Sequence, residues 1–249
     1  MSDIAQDLSG TAQAFISAAL ELLSEGRAFG LREVARRAGR RPMTVYTHFH
    51  DVLDLQAAVA AHGFGMLGDS LAAAEEDQGQ TSPELVQALA RSYVRFAQDR
   101  PDLYRMMFGR DLSLILRSTP PGMLHVGRLL AARLRVQGLV ECVINQGQQS
   151  RALRAGHSDT LALSAWAMLH GVTTLVLDGQ LDAVYDDASK QRFPEEAARL
   201  LLIGLAAEDA HERIDPSDLI PPDQRRKDSM NTRESSMADG TRPRSRASS

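Results

Sequence analysis

Cysteine is almost missing from this chain: Cys142 is the only one among 249 residues. An intramolecular disulfide is thereby excluded, which fits a reducing cytoplasm, and a lone buried thiol is the expected role for Cys142. Bases are missing from the N-terminal MSDIAQDLSG, where a signal peptide would carry them. No apolar run approaches the roughly 20 residues of a membrane span, so a cytoplasmic location without membrane contact is expected. Catalytic signatures are missing as well. Without a GxSxG elbow, a P-loop or an HExxH, hydrolase, NTPase and zinc-protease readings have no motif to rest on. The seven histidines show no clustered ligand spacing, and His48 and His50 would point to opposite sides of a helix, so no metal site is expected. His170, in an apolar stretch, reads as a hydrogen-bonded structural histidine before a general base. GFGMLG, residues 63–68, matches the GxGxxG dinucleotide fingerprint in letters only. That fingerprint follows a buried strand, whereas the preceding LDLQAAVAAH reads as helix. Its glycines are expected to permit close helix contacts or a bend, and neither a cofactor nor an enzyme activity is expected.

What is present is enough apolar residue, 43% of the chain, to bury a core as one large domain or two modest ones. The net charge of −4 offers no global attraction to nucleic acid, so any such contact must come from a local patch. One exists: between Gly26 and His50 stand Arg27, Arg32, Arg36, Arg37, Arg40 and Arg41 against the single acid Glu33. The same segment has its own periodicity. Leu31, Val34, Ala35 and Ala38 fall at helical spacing, Gly39 suits a helix end, and Pro42 suits the first turn of the next helix. In that second helix Val45 and Phe49 point one way. Met43, Thr44, Thr47 and His48 make an outward face of small or hydrogen-bonding side chains, suited to the floor of a DNA major groove.

The remainder reads as helix throughout. A first amphipathic helix covers 11–25, with Phe15, Ile16, Ala19, Leu20 and Leu23 on its apolar face and Gly26 at its end. Asp51 is a good N-cap for a long helix toward Ala74. The polar stretch Glu75–Pro83 is the clearest break, and a helix with Leu85, Leu89, Tyr93 and Phe96 inside follows it. LYRMMF makes a short helix, Gly109–Gly122 is partly loop, and Val126, Leu130, Leu134, Val140 and Ile144 outline another long helix with a possible bend at Gly138. LALSAWAMLHGVTTLVL is apolar on nearly every side for about seventeen residues, too long for a typical strand, and reads as a buried helix shared with another subunit. A last helix is expected over 193–207, with Pro194 near its start and Glu195 and Glu196 in its first turn. Beyond Glu212 the composition turns to Ser, Pro, Arg and Asp, and residues 212–249 are expected to form a disordered tail.

VARRAGRRPMTVYTHF closely resembles the helix-turn-helix of the tetracycline-repressor (TetR) family through Val34, Ala35, Ala38, Gly39, Tyr46, His48 and Phe49. AWAMLHG, with Trp166, His170 and Gly171, resembles the Trp-His-Gly type of C-terminal domain in one branch of that family, and RPDLYRMMFGRD resembles the short helix that precedes it there. The resemblance implies an all-α protein with a three-helix DNA-binding domain over 1–68 and a helical regulatory and dimerisation domain over 69–211. It implies a homodimeric repressor on a palindromic double-stranded DNA operator, released by a small effector. Carried over by position, Pro42, Met43, Thr44, Thr47 and His48 face the bases and Tyr46 meets a phosphate. Arg40 and Arg41, with Arg32 nearby, add positive charge around the start of the recognition helix. Three features depart from the family: Arg40 and Arg41 replace an apolar residue and a Ser-like cap, Val52 replaces a common lysine, and the loop before Leu31 is one residue short.

The soft and aromatic residues Tyr93, Phe96, Tyr104, Met107, Phe108, Met123 and Trp166 are expected to converge as an effector pocket in the body. Their stripes carry no formal charge. The expected effector is therefore apolar or aromatic with one or two polar groups, met by Tyr93, His125 or His170. The contrasting reading is a helical interaction module whose arginine face binds a protein partner instead of DNA.

Overall fold

The computed structural model describes residues 10–75, 82–109, 112 and 124–206. Among them the chain is all-α, and the only β feature is an isolated antiparallel bridge between Leu153 and Ala206. Nine helices lie among the described residues: α1 Gly10–Ser24, α2 Leu31–Arg37, α3 Pro42–Val45, α4 Val52–Glu75, α5 Ser82–Asp99, α6 Pro101–Phe108, α7 Leu124–Gln149, α8 Ser158–Leu177 and α9 Asp187–Leu205. The expected tail over 212–249 and most of the loop over 109–122 lie outside the described residues.

The first three helices form by local rules. The apolar face of α1, Phe15, Ile16, Ala19 and Leu22, is fully buried against Val34, Ala35, Val45 and Phe49. Both α1 and α2 end in a glycine with positive φ, Gly26 at 68° and Gly39 at 64°. At the second, the Gly39 N–H donates to the Arg36 carbonyl and the Arg40 N–H to the Ala35 carbonyl, the paired closure that satisfies the last carbonyls of a helix.

The long helix α4 runs unbroken through position 68 and packs along α7, joining the N-terminal three helices to the rest of the body. GFGMLG lies wholly inside it, so the fingerprint's strand-turn-helix context is absent, and of its glycines Gly63 serves packing. Gly63 is where α6 comes closest: a Cβ there would stand 2.6 Å from the Met107 sulfur, whereas one at Gly65 would meet nothing within 4 Å.

Several expectations need correction. The last helix begins at Asp187, six residues before Phe193, because the Asp186 carboxylate caps it by accepting from the Ser189 N–H at 2.8 Å. Pro194 is thus inside the helix, and Glu195 and Glu196 lie past its first turn, out of reach of the dipole benefit. Cys142 is exposed, not buried. On α7 the buried stripe passes through Leu129, Val136, Val140 and Ile144, leaving Leu134 outside, and the helix continues through Gly138. The helix α8, 20 residues with a mean hydropathy of 1.5, does reach the length and composition of a membrane span. One of its faces, Ala162, Ala165, Leu169 and Thr173, packs into the body, while Leu163, Met168 and Leu175 are exposed in the single chain. Its apolar character is therefore only half absorbed by its own subunit.

The two outer positions of the Gly-Phe-Gly triplet should separate sharply. Gly63→Val forces a branched side chain into Met107 and should lower stability by about 1–3 kcal/mol, whereas Gly65→Ala fills open space and should raise it by up to about 1 kcal/mol. Thermal melts of the two variants check this.

Candidate nucleic-acid interface and body cavity

The turn after Gly39 delivers Pro42 as the first residue of α3, where its missing N–H costs nothing. Helix α3 spans only Pro42–Val45 and continues as turn through His48, shorter than the spacing suggests. Arg41 stands at its N-cap with no side-chain cap, as the replacement of a Ser-like residue implies. Val45 and Phe49 are buried and fix the segment to α1. Arg32, Arg40, Arg41, Pro42, Met43, Tyr46 and Thr47 are exposed, with Met43 at 74% the most exposed large apolar residue described. Thr44 is half-buried. The Thr47 hydroxyl donates to the Thr44 carbonyl at 2.7 Å, and the residue is exposed, its oxygen still able to accept. His48 is half-buried, its ring centroid 5.8 Å from that of Phe15, so it belongs partly to the core and partly to the outward face.

The arginine patch is smaller than the sequence count. Arg37 forms two 2.7 Å hydrogen bonds to Glu25 and also reaches Glu21, while Arg27 bridges Glu25 and Glu33. The Arg37 guanidinium, helped by Arg27, pulls the Glu25 carboxyl down to about 2. Arg36 approaches Glu33 at 3.6 Å. These pairs tie α2 to α1. No described acid forms an ion pair with Arg32, Arg40 or Arg41, which are the cations flanking the exposed face.

Directly after that face, Asp51 caps α4. Its Oδ1 accepts from the Asp54 N–H at 2.9 Å, and the Asp54 Oδ2 accepts from the His50 N–H at 3.0 Å, a capping-box-like pair whose return bond goes to the residue before the cap. The Asp54 N–H, with further help from His50, holds the Asp51 carboxyl below its ordinary value.

In the body, helices α4, α5, α7, α8 and α9 enclose a cavity of about 340 Å³, within the usual range of ligand sites. Of the nine residues expected around a pocket, Tyr93, Phe108 and Trp166 line it. Tyr104 and His170 stand just behind. The Tyr104 hydroxyl lies 2.6 Å from the His170 Nδ1 and 2.8 Å from the Tyr93 hydroxyl, and the His170 ring stacks on Trp166 at 5.4 Å. Burial lowers the His170 pKa and pushes that of Tyr104 up to about 12, so the cluster is neutral. With His170 neutral and accepting at Nδ1, Tyr104 donates to it and Tyr93 donates to Tyr104, so the ordering of one group fixes the next.

Phe96 and Met107 are buried but do not line the cavity, Met107 being occupied with Gly63. Met123 lies outside the described residues. His125 is a correction: it sits at the other end of α7, its ring 5.0 Å from that of Phe49 and its Nε2 donating to the His48 carbonyl at 3.2 Å. Sequence reasoning also missed Phe64, Leu67, Leu71, Leu201 and Leu205 of the lining, and above all Arg133, a formal charge where none was expected. Its signal was present: Leu129, Arg133, Val136, Val140 and Ile144 fall on one helical face, with Arg133 the sole charge among them.

Residues 86–202 match the family model described as tetracyclin repressor-like, C-terminal domain. That stretch is similar to the C-terminal domain of tetracycline-repressor-like proteins, and the chain shares its fold with TetR-family regulators. A protein of unknown function from Rhodococcus sp. RHA1 is similar over 81% of this chain and 98% of that one, at 24% identity and a TM-score of 0.65. A tetR-family bacterial regulatory protein from Rhodococcus RHA1 matches 81% of this chain and 100% of its own, at 19% identity and a TM-score of 0.56. The fatty acid degradation regulator FadR from Bacillus halodurans matches 79% and 97%, at 14% identity and a TM-score of 0.60. No curated relative matches by sequence. TetR-family proteins are DNA-binding regulators and not enzymes. The motif with Trp166, His170 and Gly171 falls inside the matched domain.

Replacing the cap of α4 tests the join between the exposed face and the body. Asp51→Ala should cost about 1 kcal/mol near neutral pH. Because the folded pKa is lowered, the contribution is complete above the unfolded value of about 3.9 and disappears as pH falls through the folded one. Wild-type and variant melting temperatures should therefore converge in acid.

Proposed function

We propose that this chain is a TetR-family cytoplasmic repressor that binds a palindromic operator as a homodimer and leaves it when a small molecule occupies the body cavity. The observation that carries the reading is the single helix α7. At one end His125 holds the His48 carbonyl behind the reading face, and along its length Arg133, Val136, Val140, Val143 and Ile144 line the cavity. A ligand that prefers one position of α7 is thereby coupled to the reading face, and only that preference moves the equilibrium. The N-terminal reading domain comprises 1–68, and the regulatory and dimerisation domain 69–211, with α4 common to both.

In this reading Arg40, Arg41, Arg32 and Tyr46 meet phosphates, while Pro42, Met43, Thr44, Thr47 and His48 face base edges. Thr47, whose proton is committed to the Thr44 carbonyl, accepts from a base amino group or meets a thymine methyl. The exposed apolar side chains of α8 and α9, Met168, Leu175 and Leu200, supply the homodimer interface. Leu201, the neighbouring apolar residue, is buried in its own subunit and lines the cavity.

Selection from a random duplex pool should recover a palindrome; no enrichment over shuffled DNA would favour a protein partner for the arginine face instead. Arg41→Ala should weaken operator and random DNA alike and flatten the salt dependence. Thr47→Ala should cost about 1–3 kcal/mol on the operator alone. Equal, unselective losses would refute the base-facing role.

Oligomeric state is checked by sedimentation. Leu200→Glu should convert a dimer to monomers at micromolar concentration without changing the melting profile of the single subunit, whereas a wild-type monomer would remove the interface.

A further inference from the structure

Arg133 is the feature of the cavity that a ligand without a negative charge leaves uncompensated. It is half-buried, on the wall of a cavity whose other lining is almost wholly apolar, and its guanidinium carbon lies 5.7 Å from the Phe64 ring centroid. No described acid forms an ion pair with it, in contrast to its near neighbour on the same helix, Arg135, which is paired with Asp69 at 2.9 Å. The stacking on Phe64 orients the guanidinium but accepts none of its hydrogen bonds. Burial lowers its pKa, yet an arginine stays charged at any physiological pH. One turn further along, Gln137 also lines the cavity, with one amide proton on Glu141 at 2.7 Å and a second to spare. The exposed Leu130, Leu134 and Leu163 border the same cavity, so its mouth lies between α7 and α8.

The Tyr93 hydroxyl, a further polar group of the lining, is already engaged with Tyr104 and His170. A purely apolar ligand would therefore cover Arg133 and remove its water without giving it an acceptor, and a neutral hydroxyl would return one acceptor but no counter-charge, both unfavourable exchanges for a charged group. A carboxylate restores that partner, and the guanidinium fork matches its geometry.

We propose that the cavity binds an apolar chain or ring bearing a single carboxylate, the apolar part among Phe64, Leu67, Leu71 and Val143 and the carboxylate on Arg133. This rests on the reading of the cavity as the effector site and names the class of effector.

The test uses the full chain with decanoate and 1-decanol as probes, followed by the fluorescence of Trp166, the sole tryptophan and a lining residue. Decanoate should bind more tightly than decanol, and Arg133→Met should weaken decanoate by about tenfold to a hundredfold while leaving decanol unchanged. Retained decanol binding shows that the variant is folded, and Arg133→Lys should recover part of the loss. If decanol matches decanoate and Arg133→Met alters neither, the carboxylate assignment is overturned and the cavity reading stands. If neither probe binds, both are overturned. If decanoate binds through Arg133 without lowering operator affinity, the carboxylate site stands and the release proposed above does not.

Discussion

The packing of α7 along α4 is the contact on which the rest of the molecule depends. The two helices hold 26 and 24 residues and bury Leu129, Ile144, Leu67 and Leu71 among the most enclosed side chains. Each such side chain contributes about 1.5–3 kcal/mol on leaving water. The contact does more than stabilise. It leaves the upper wall of the cavity and the backing of the α3 segment on the same pair of rods, and a close-packed seam shifts as a unit instead of deforming gradually. Remove it and neither the His125 contact nor the placement of Arg133 has a support.

Charge is distributed so that the acidic chain still offers a cationic edge. The net charge of −4 says little about α2 and α3, because Arg27 and Arg37 are absorbed by Glu21, Glu25 and Glu33 in holding α2 against α1. These exposed pairs are weak individually. Their consequence is selective: the cations left over are Arg32, Arg40 and Arg41, next to the exposed turn that starts at Pro42. The departure from a Ser-like cap thus exchanges a hydrogen bond at the start of α3 for charge beside the proposed phosphate contacts.

What the sequence made legible was local. Gly26 and Gly39 mark helix ends because the backbone takes a positive φ there, Asp51 marks a helix start because its carboxylate accepts a free N–H, and the stripe through Phe15, Ile16 and Ala19 gives the inner face of α1. What was not legible depended on contacts between distant segments. Nothing near His125 in the chain says that its ring will meet Phe49, and nothing near Arg37 says that Glu25 and Glu21 will claim it. The phase of α7 was misread for a related reason: Leu130 and Leu134 look like core at helical spacing, but they border a cavity mouth, while the true inner stripe carries an arginine. Pro194 hides Asp186 in the sequence, because a proline suits a first turn although the helix has already run two turns when it reaches this one.

The Tyr93–Tyr104–His170 cluster completes the account of how a cavity can be selective without many polar groups. Its members come from three helices, α5, α6 and α8, so hydrogen bonding among them fixes those helices relative to one another as well as fixing their own orientations. Because burial keeps all three neutral, the network carries no charge that an incoming ligand must neutralise. Arg133 stands on α7, outside that network. One side of the cavity is thus held by satisfied hydrogen bonds, and the other carries a cation able to gain a partner. Under the proposed release, a ligand completing that side acts on α7 against a fixed reference, and a difference in affinity between two positions of one helix is all that such regulation requires.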